Sequence, residues 1–248
     1  MIDTGLLRSS IGTLGEKTLH AVLKHYIDPD SRHHEVRIGP YYADIASEAG
    51  IYEIQTRGFG KMRKKLETFL QTQPMPVTIV YPVPATKWLL WIDPETGELT
   101  QQRKSPKKGT PYEIFYELYQ IKSYLTHPNL RIRILLIDMQ EYRYLNGWSK
   151  DKKRGSSRCN RIPNALTDDI CIDRVTAYAK LVPDALSASF TSKDFAVASG
   201  LSLSSAQTAL NVLHDLGAIN RVGKTGRRFV YNRNFPVETY PIELSDFP

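Results

Sequence analysis

Cysteine is scarce in this chain, with only Cys159 and Cys171 among 248 residues. Two cysteines cannot build a disulfide framework, and their spacing fits neither a zinc site nor a redox motif. Long apolar runs are also missing. The longest, "WLLWI" and "ILLI", fall far short of the roughly 20 residues that a membrane helix needs. The first residues, "MIDTGLLRSS", lack a basic segment followed by an apolar stretch, so no signal peptide is expected. These absences predict a cytoplasmic protein without a membrane anchor. Acidic residues are outnumbered, 26 against 33 basic ones, for a net charge of +7. A basic balance points to an anionic partner, nucleic acid before membrane, and says little about fold.

The length allows one large domain or two smaller ones. "TLGEKTLHAVLKHYI" predicts a helix with Leu19, Val22, Leu23 and Tyr26 on its apolar face, opened by Thr13 and Glu16 at capping-box spacing. Strands follow in "HHEVRI", "YYADIA" and "IYEIQT", then a helix in "GKMRKKLETFLQ". "VTIVYPV" is a strand, "KWLLWIDPETGELTQ" a hairpin, "YEIFYELYQIKSYL" a helix and "LRIRILLIDMQEYRYL" a long strand. This order predicts a mixed α/β core with a central sheet flanked by helices. Asn146 to about Thr167 reads as a polar loop and linker, dividing the chain into residues 1–165 and 166–248.

Charge is concentrated in two segments. Gln101–Pro111 carries Arg103, Lys104, Lys107 and Lys108, and Gly147–Pro163 carries Lys150, Lys152, Lys153, Arg154, Arg158 and Arg161 against Asp151. The remainder is about −2, so the excess sits where it would neutralise phosphates. Lys107, Lys108, Lys152, Lys153 and Arg154 are therefore candidate DNA contacts.

Beyond the linker the pattern is a helix in "DRVTAYAKLVPDAL", a short helix opened by Thr191 and Asp194, a longer helix closed by Gly217, and a hairpin "AINRVGKTGRRFVYN". This order over Asp173–Asn234 resembles a winged helix-turn-helix. The resemblance implies that Ser204, Ser205 and Gln207 face base edges or phosphates of duplex DNA, and that Arg221, Lys224, Arg227 and Arg228 of the wing contact its backbone.

"YYADIASEAGIYEIQT" raises a further question. A turn centred between Glu48 and Ala49 sets Asp44 opposite Glu53, with Gln55 on the same face as Glu53. Opposed carboxylates repel, and a divalent cation between them would turn repulsion into ligation. Mg²⁺ suits the pair, because it takes one or two carboxylates and completes its shell with water and phosphate.

A helix with an acid, a strand with Asp, a strand with acid-x-polar and a basic helix together resemble the PD-(D/E)XK nuclease superfamily, over about residues 11–140. The resemblance implies a restriction-endonuclease-like fold and Mg²⁺- or Mn²⁺-dependent hydrolysis of DNA, in many members as homodimers. Asp44, Glu53 and the main-chain carbonyl of Ile54 would ligate the metal, and Glu16 matches an auxiliary acid. Gln55 stands where the family usually has Lys; its amide can orient a water, and Lys61 or Lys64 would supply the missing cation. Gln55 also keeps open a non-catalytic DNA-binding regulatory or replication-associated protein with an inactivated nuclease fold. An interaction protein is the third possibility.

Overall fold

The structure, a computed structural model, describes residues 17–72, 74–100, 102–146 and 158–234. Its first helix, α1 (Lys17–Ile27), buries Leu19 and Leu23, with Ile27 packed alongside. These lie four residues apart, on one side of the helix. Val22 and Tyr26, expected on that face, are exposed, and Tyr26 lies beneath the Arg133 guanidinium at 5.9 Å.

Three strands follow, β1 (His34–Ile38), β2 (Tyr41–Ser47) and β3 (Gly50–Ile54), joined as antiparallel neighbours. Ser47 pairs with Gly50, which puts the β2–β3 turn at Glu48 and Ala49 as expected. Gly50 has φ 134°, and a Cβ there would meet the Pro76 carbonyl oxygen at 2.6 Å. Only glycine fits both demands.

Helix α2 (Arg63–Thr72) then leads to β4 (Val77–Ile92), which runs parallel to β3 on one side and to β6 (Leu130–Tyr144) on the other. The expected strand and hairpin arm are thus one strand of 16 residues. The hairpin itself forms, with Gly97 at φ 73° and a short β5 (Arg103–Lys104) pairing back on Trp88 and Leu89. Pro82 and Pro84 sit inside β4 at little cost. Val80 O accepts from Gln55 N, so the even-numbered residues here turn their backbone groups to the β3 side. Past Val80 that side has no strand until β5, and the prolines forfeit no ladder bond.

β7 (Arg158–Ile172) closes the sheet antiparallel to β6. The order is β1-β2-β3-β4-β6-β7, with β5 on the end of β4. This mixed sheet corrects the reading of Asn146–Thr167 as loop and linker: its second half is strand, and a division after residue 165 cuts that strand. Residues 147–157 lie outside the described part.

Helices cover both faces. α1 packs on Ile54, Val80, Leu135, Ile137 and Met139. The opposite face holds the larger core, built with α2 and α3 (Phe115–Gln120). That core continues into the C-terminal unit, where a 3-10 helix (Val175–Leu181) replaces the expected α-helix before β8 (Ser189–Thr191), α4 (Ser192–Ser199), α5 (Leu203–Asp215), β9 (Ile219–Thr225) and β10 (Arg228–Arg233). The Thr191–Asp194 capping box is present, and Ala206, Leu210 and Leu213 are buried as expected. Phe115 meets Phe195 at 6.2 Å, and Lys122, following α3, pairs with Asp215 of α5. The two units share one apolar interior.

Candidate functional site

The pairing of β2 with β3 ends at Ile45 and Tyr52, immediately before Asp44 and Glu53. There the Asp44 carboxylate takes over, with Oδ2 accepting from Ile54 N at 2.7 Å. A side chain thus replaces the strand partner where the two strands separate. Asp44 is half-buried, whereas Glu53 is fully buried.

Glu53 is an unusual core residue. Lys65 Nζ lies 2.6 Å from Oε1 as an ion pair, and Oε2 receives no hydrogen bond from a described residue. Burial, and next the charge of Asp44, push the Glu53 carboxyl up to about 7, against the opposing pull of Lys65. One orphaned buried oxygen, Oε2, beside a second carboxylate could serve a further cation. Among the described residues no group of three or more His, Cys, Asp or Glu side chains converges, so two carboxylates are what the described residues offer there. That number suffices for Mg²⁺. Glu16 lies outside the described residues.

The cation beside Glu53 is Lys65, where Lys61 or Lys64 was expected. Both of those are exposed. Lys65 lies three residues after buried Met62 and four before buried Phe69, on the inward side of the helix. Its ammonium also sits 5.6 Å from the Phe69 ring centre. That spacing was readable from the sequence. Gln55 is half-buried, and its N–H is held by Val80 O at 2.9 Å. The chain after it is anchored by Glu117, whose Oε2 accepts from Gly58 N at 2.7 Å and Phe59 N at 2.8 Å.

In the C-terminal unit Ser204, Ser205 and Gln207 are all exposed near the start of α5. The Ser202 side chain caps this helix by accepting from Ser205 N. Ser205 Oγ is already engaged with Ser202 Oγ at 2.9 Å. On the hairpin Arg221, Lys224, Arg227 and Arg228 are exposed; Arg221 and Lys224 stack on Phe229 at 4.4 Å and 4.8 Å. Lys108 is exposed, and Lys107 pairs with Glu113 at 3.2 Å. Lys152, Lys153 and Arg154 lie outside the described residues. Arg158 and Arg161, counted with that loop, belong to β7 and turn toward buried Glu141. No described helix is long and apolar enough to cross a membrane.

A family model described as "Domain of unknown function (DUF8091)" matches residues 17–173. The chain belongs to this family. The match runs from the start of α1 to the end of β7, so Asp44, Glu53, Lys65 and Glu141 all lie in the DUF8091 domain. An uncharacterized protein of Treponema pallidum (strain Nichols) is 31% identical over 150 residues, covering 60% of this chain and 56% of the relative. The chain therefore spans little more than half the length of that relative. No solved structure matches it.

Proposed function

We propose that the protein is a metal-dependent DNA endonuclease of the restriction-endonuclease-like fold, with a C-terminal winged helix that docks duplex DNA. The observation that carries the reading is the place of Asp44 and Glu53 where β2 and β3 separate: the charge of Asp44 acts on a fully buried Glu53 whose Oε2 has no partner among the described residues. The element order helix, three antiparallel strands, helix and parallel strand supports it. Asp44, Glu53 and the main chain of Ile54 would hold Mg²⁺ or Mn²⁺. Such an ion supplies charge neutralisation at a phosphodiester and activation of a water. Asp44 is oriented for this by Ile54 N–H, Lys65 adds a positive charge beside Glu53, and the Gln55 amide can orient a water. The order of β8, α4, α5, β9 and β10, with exposed Arg221, Lys224, Arg227 and Arg228 on the hairpin, supports the DNA-docking role.

The test is supercoiled plasmid incubated with Mg²⁺, Mn²⁺ or EDTA. Nicking should need the metal. Asp44→Ala and Glu53→Ala should each lower it by more than the roughly 100-fold that loss of an outer-shell partner costs. A second reading is favoured by the complete burial of Glu53 and its neutralisation by Lys65: a DNA-binding regulatory protein that keeps the fold without cleaving. Salt-sensitive DNA binding with no cleavage under any metal would select it.

A further inference from the structure

Glu141, on β6, is fully buried and surrounded by cations. Arg143 pairs with its Oε1; Arg161 Nε lies 3.2 Å, Arg158 Nε 3.6 Å and Lys87 Nζ 3.7 Å from its Oε2. The four come from three adjacent strands. Leu89, Glu141 and Arg161 are register partners across β4, β6 and β7, and Trp91, Arg143 and Arg158 form the next row. Register partners share a face, so half-buried Trp91 belongs to the same surface as the arginines.

This surface continues the face covered by α1. The apolar packing of α1 ends at Met139, two residues before Glu141, and among the described residues no helix covers the rows beyond. Arg57, exposed just past β3, is near enough for its charge to act on Arg158.

Among the described residues Lys87, Arg158 and Arg161 face one carboxylate, an excess of two positive charges without counting Arg143, and three with Arg57; Lys87 and Arg161 are half-buried, Arg158 and Arg57 exposed. Burial and the neighbouring arginines push the Lys87 ammonium downward, and the same causes act on Arg158. Crowding like charges is costly without an anion to complete the set. Glu141 locks the guanidinium groups in place before any ligand arrives, which lowers the ordering cost of binding. Planar guanidinium groups match phosphate oxygens two at a time, and a tryptophan in the same row supplies a stacking surface.

We infer that Lys87, Arg143, Arg158 and Arg161, with Arg57 at the edge, form a second nucleic-acid site that grips consecutive backbone phosphates of a single strand beside Trp91. It rests on the reading of the protein as a nucleic-acid binder, and not on cleavage. The site lies in the DUF8091 domain, apart from the C-terminal unit.

The test is fluorescence anisotropy with a labelled single-stranded oligonucleotide across a salt series, on the full chain. Arg57→Gln/Arg158→Gln changes the two most exposed members and should leave the melting temperature unchanged. It should weaken binding about tenfold and lower the slope of log K against log salt by about 1.5. Arg158→Lys should keep most of the slope, and Trp91→Ala should weaken binding with the slope intact. A double variant with wild-type affinity and slope overturns the site, while a loss of duplex binding in Arg227→Ala/Arg228→Ala leaves the nucleic-acid reading standing. Equal displacement by millimolar inorganic phosphate also overturns it, in favour of a small-anion pocket. If the wild type binds neither single nor double strands in a salt-sensitive way, the nucleic-acid reading itself fails.

Discussion

Glu53 is a fully buried carboxyl whose chemistry departs from that of an ordinary glutamate. A carboxyl held to about 7 keeps its proton in the folded state after the unfolded chain has released it near 4.5. Native stability therefore falls as pH rises from 4.5 to 7, by about 3 kcal/mol in total, and is flat above that. Glu141 acts in the opposite sense. Burial opposes its ionisation, but Lys87, Arg143 and Arg158 together hold its carboxyl down to about 2, so its contribution is complete above 4.5 and is lost as pH falls toward 2. From these two groups stability should peak near pH 4.5 in EDTA. Urea unfolding of Glu53→Gln should lose the decline between 4.5 and 7 while keeping the acid limb. A decline unchanged from wild type would contradict the assignment of that slope to Glu53.

At the scale of elements, the long strands tie the charged clusters to the fold. β6 runs parallel to β4 and antiparallel to β7, so its one buried carboxylate is reached by cations from both neighbours. Glu141→Gln would leave four cations, three of them half-buried, without their shared counter-ion. Breaking a buried pair costs about 3–5 kcal/mol, which for a chain of this size is a drop of roughly 10 °C in melting temperature. Calorimetry at pH 7 measures it, and an unchanged melting temperature would show that the cluster does not organise the sheet. β7 also explains what the sequence concealed. Its residues Asn164–Asp169 are exposed, and the ladder to β6 shifts register three times. Bulges break the two-residue alternation by which a strand is recognised, and an edge strand can be held by backbone bonds with polar side chains outward. A segment rich in Arg, Asn, Asp and Pro then reads as a linker.

For the molecule as a whole, short-range signals were legible and long-range ones were not. The turn at Glu48–Ala49, the Thr191–Asp194 capping box and the close of α5 at Gly217 follow from a few neighbouring residues, and each stands where the sequence puts it. The neighbouring backbone positions of Asp44 and Glu53 were legible because one tight turn sets the register of β2 on β3. Lys65 required choosing among adjacent lysines by helix face. The Glu141 cluster was hidden, since Lys87, Glu141 and Arg161 come together only through a register spanning three strands. The shared core of the two units was hidden for the same reason: Phe115 and Phe195 are far apart in sequence and touch only in the folded chain.

Whether Asp44 and Glu53 share a divalent cation decides the proposed function. Titration of the full chain with Mn²⁺ at pH 8, followed by electron paramagnetic resonance, measures this without depending on cleavage. The wild type should take up one ion per chain, and Asp44→Asn and Glu53→Gln should each abolish that uptake while remaining folded. No uptake by the wild type, or undiminished uptake by both variants, would contradict a shared metal site at Asp44 and Glu53.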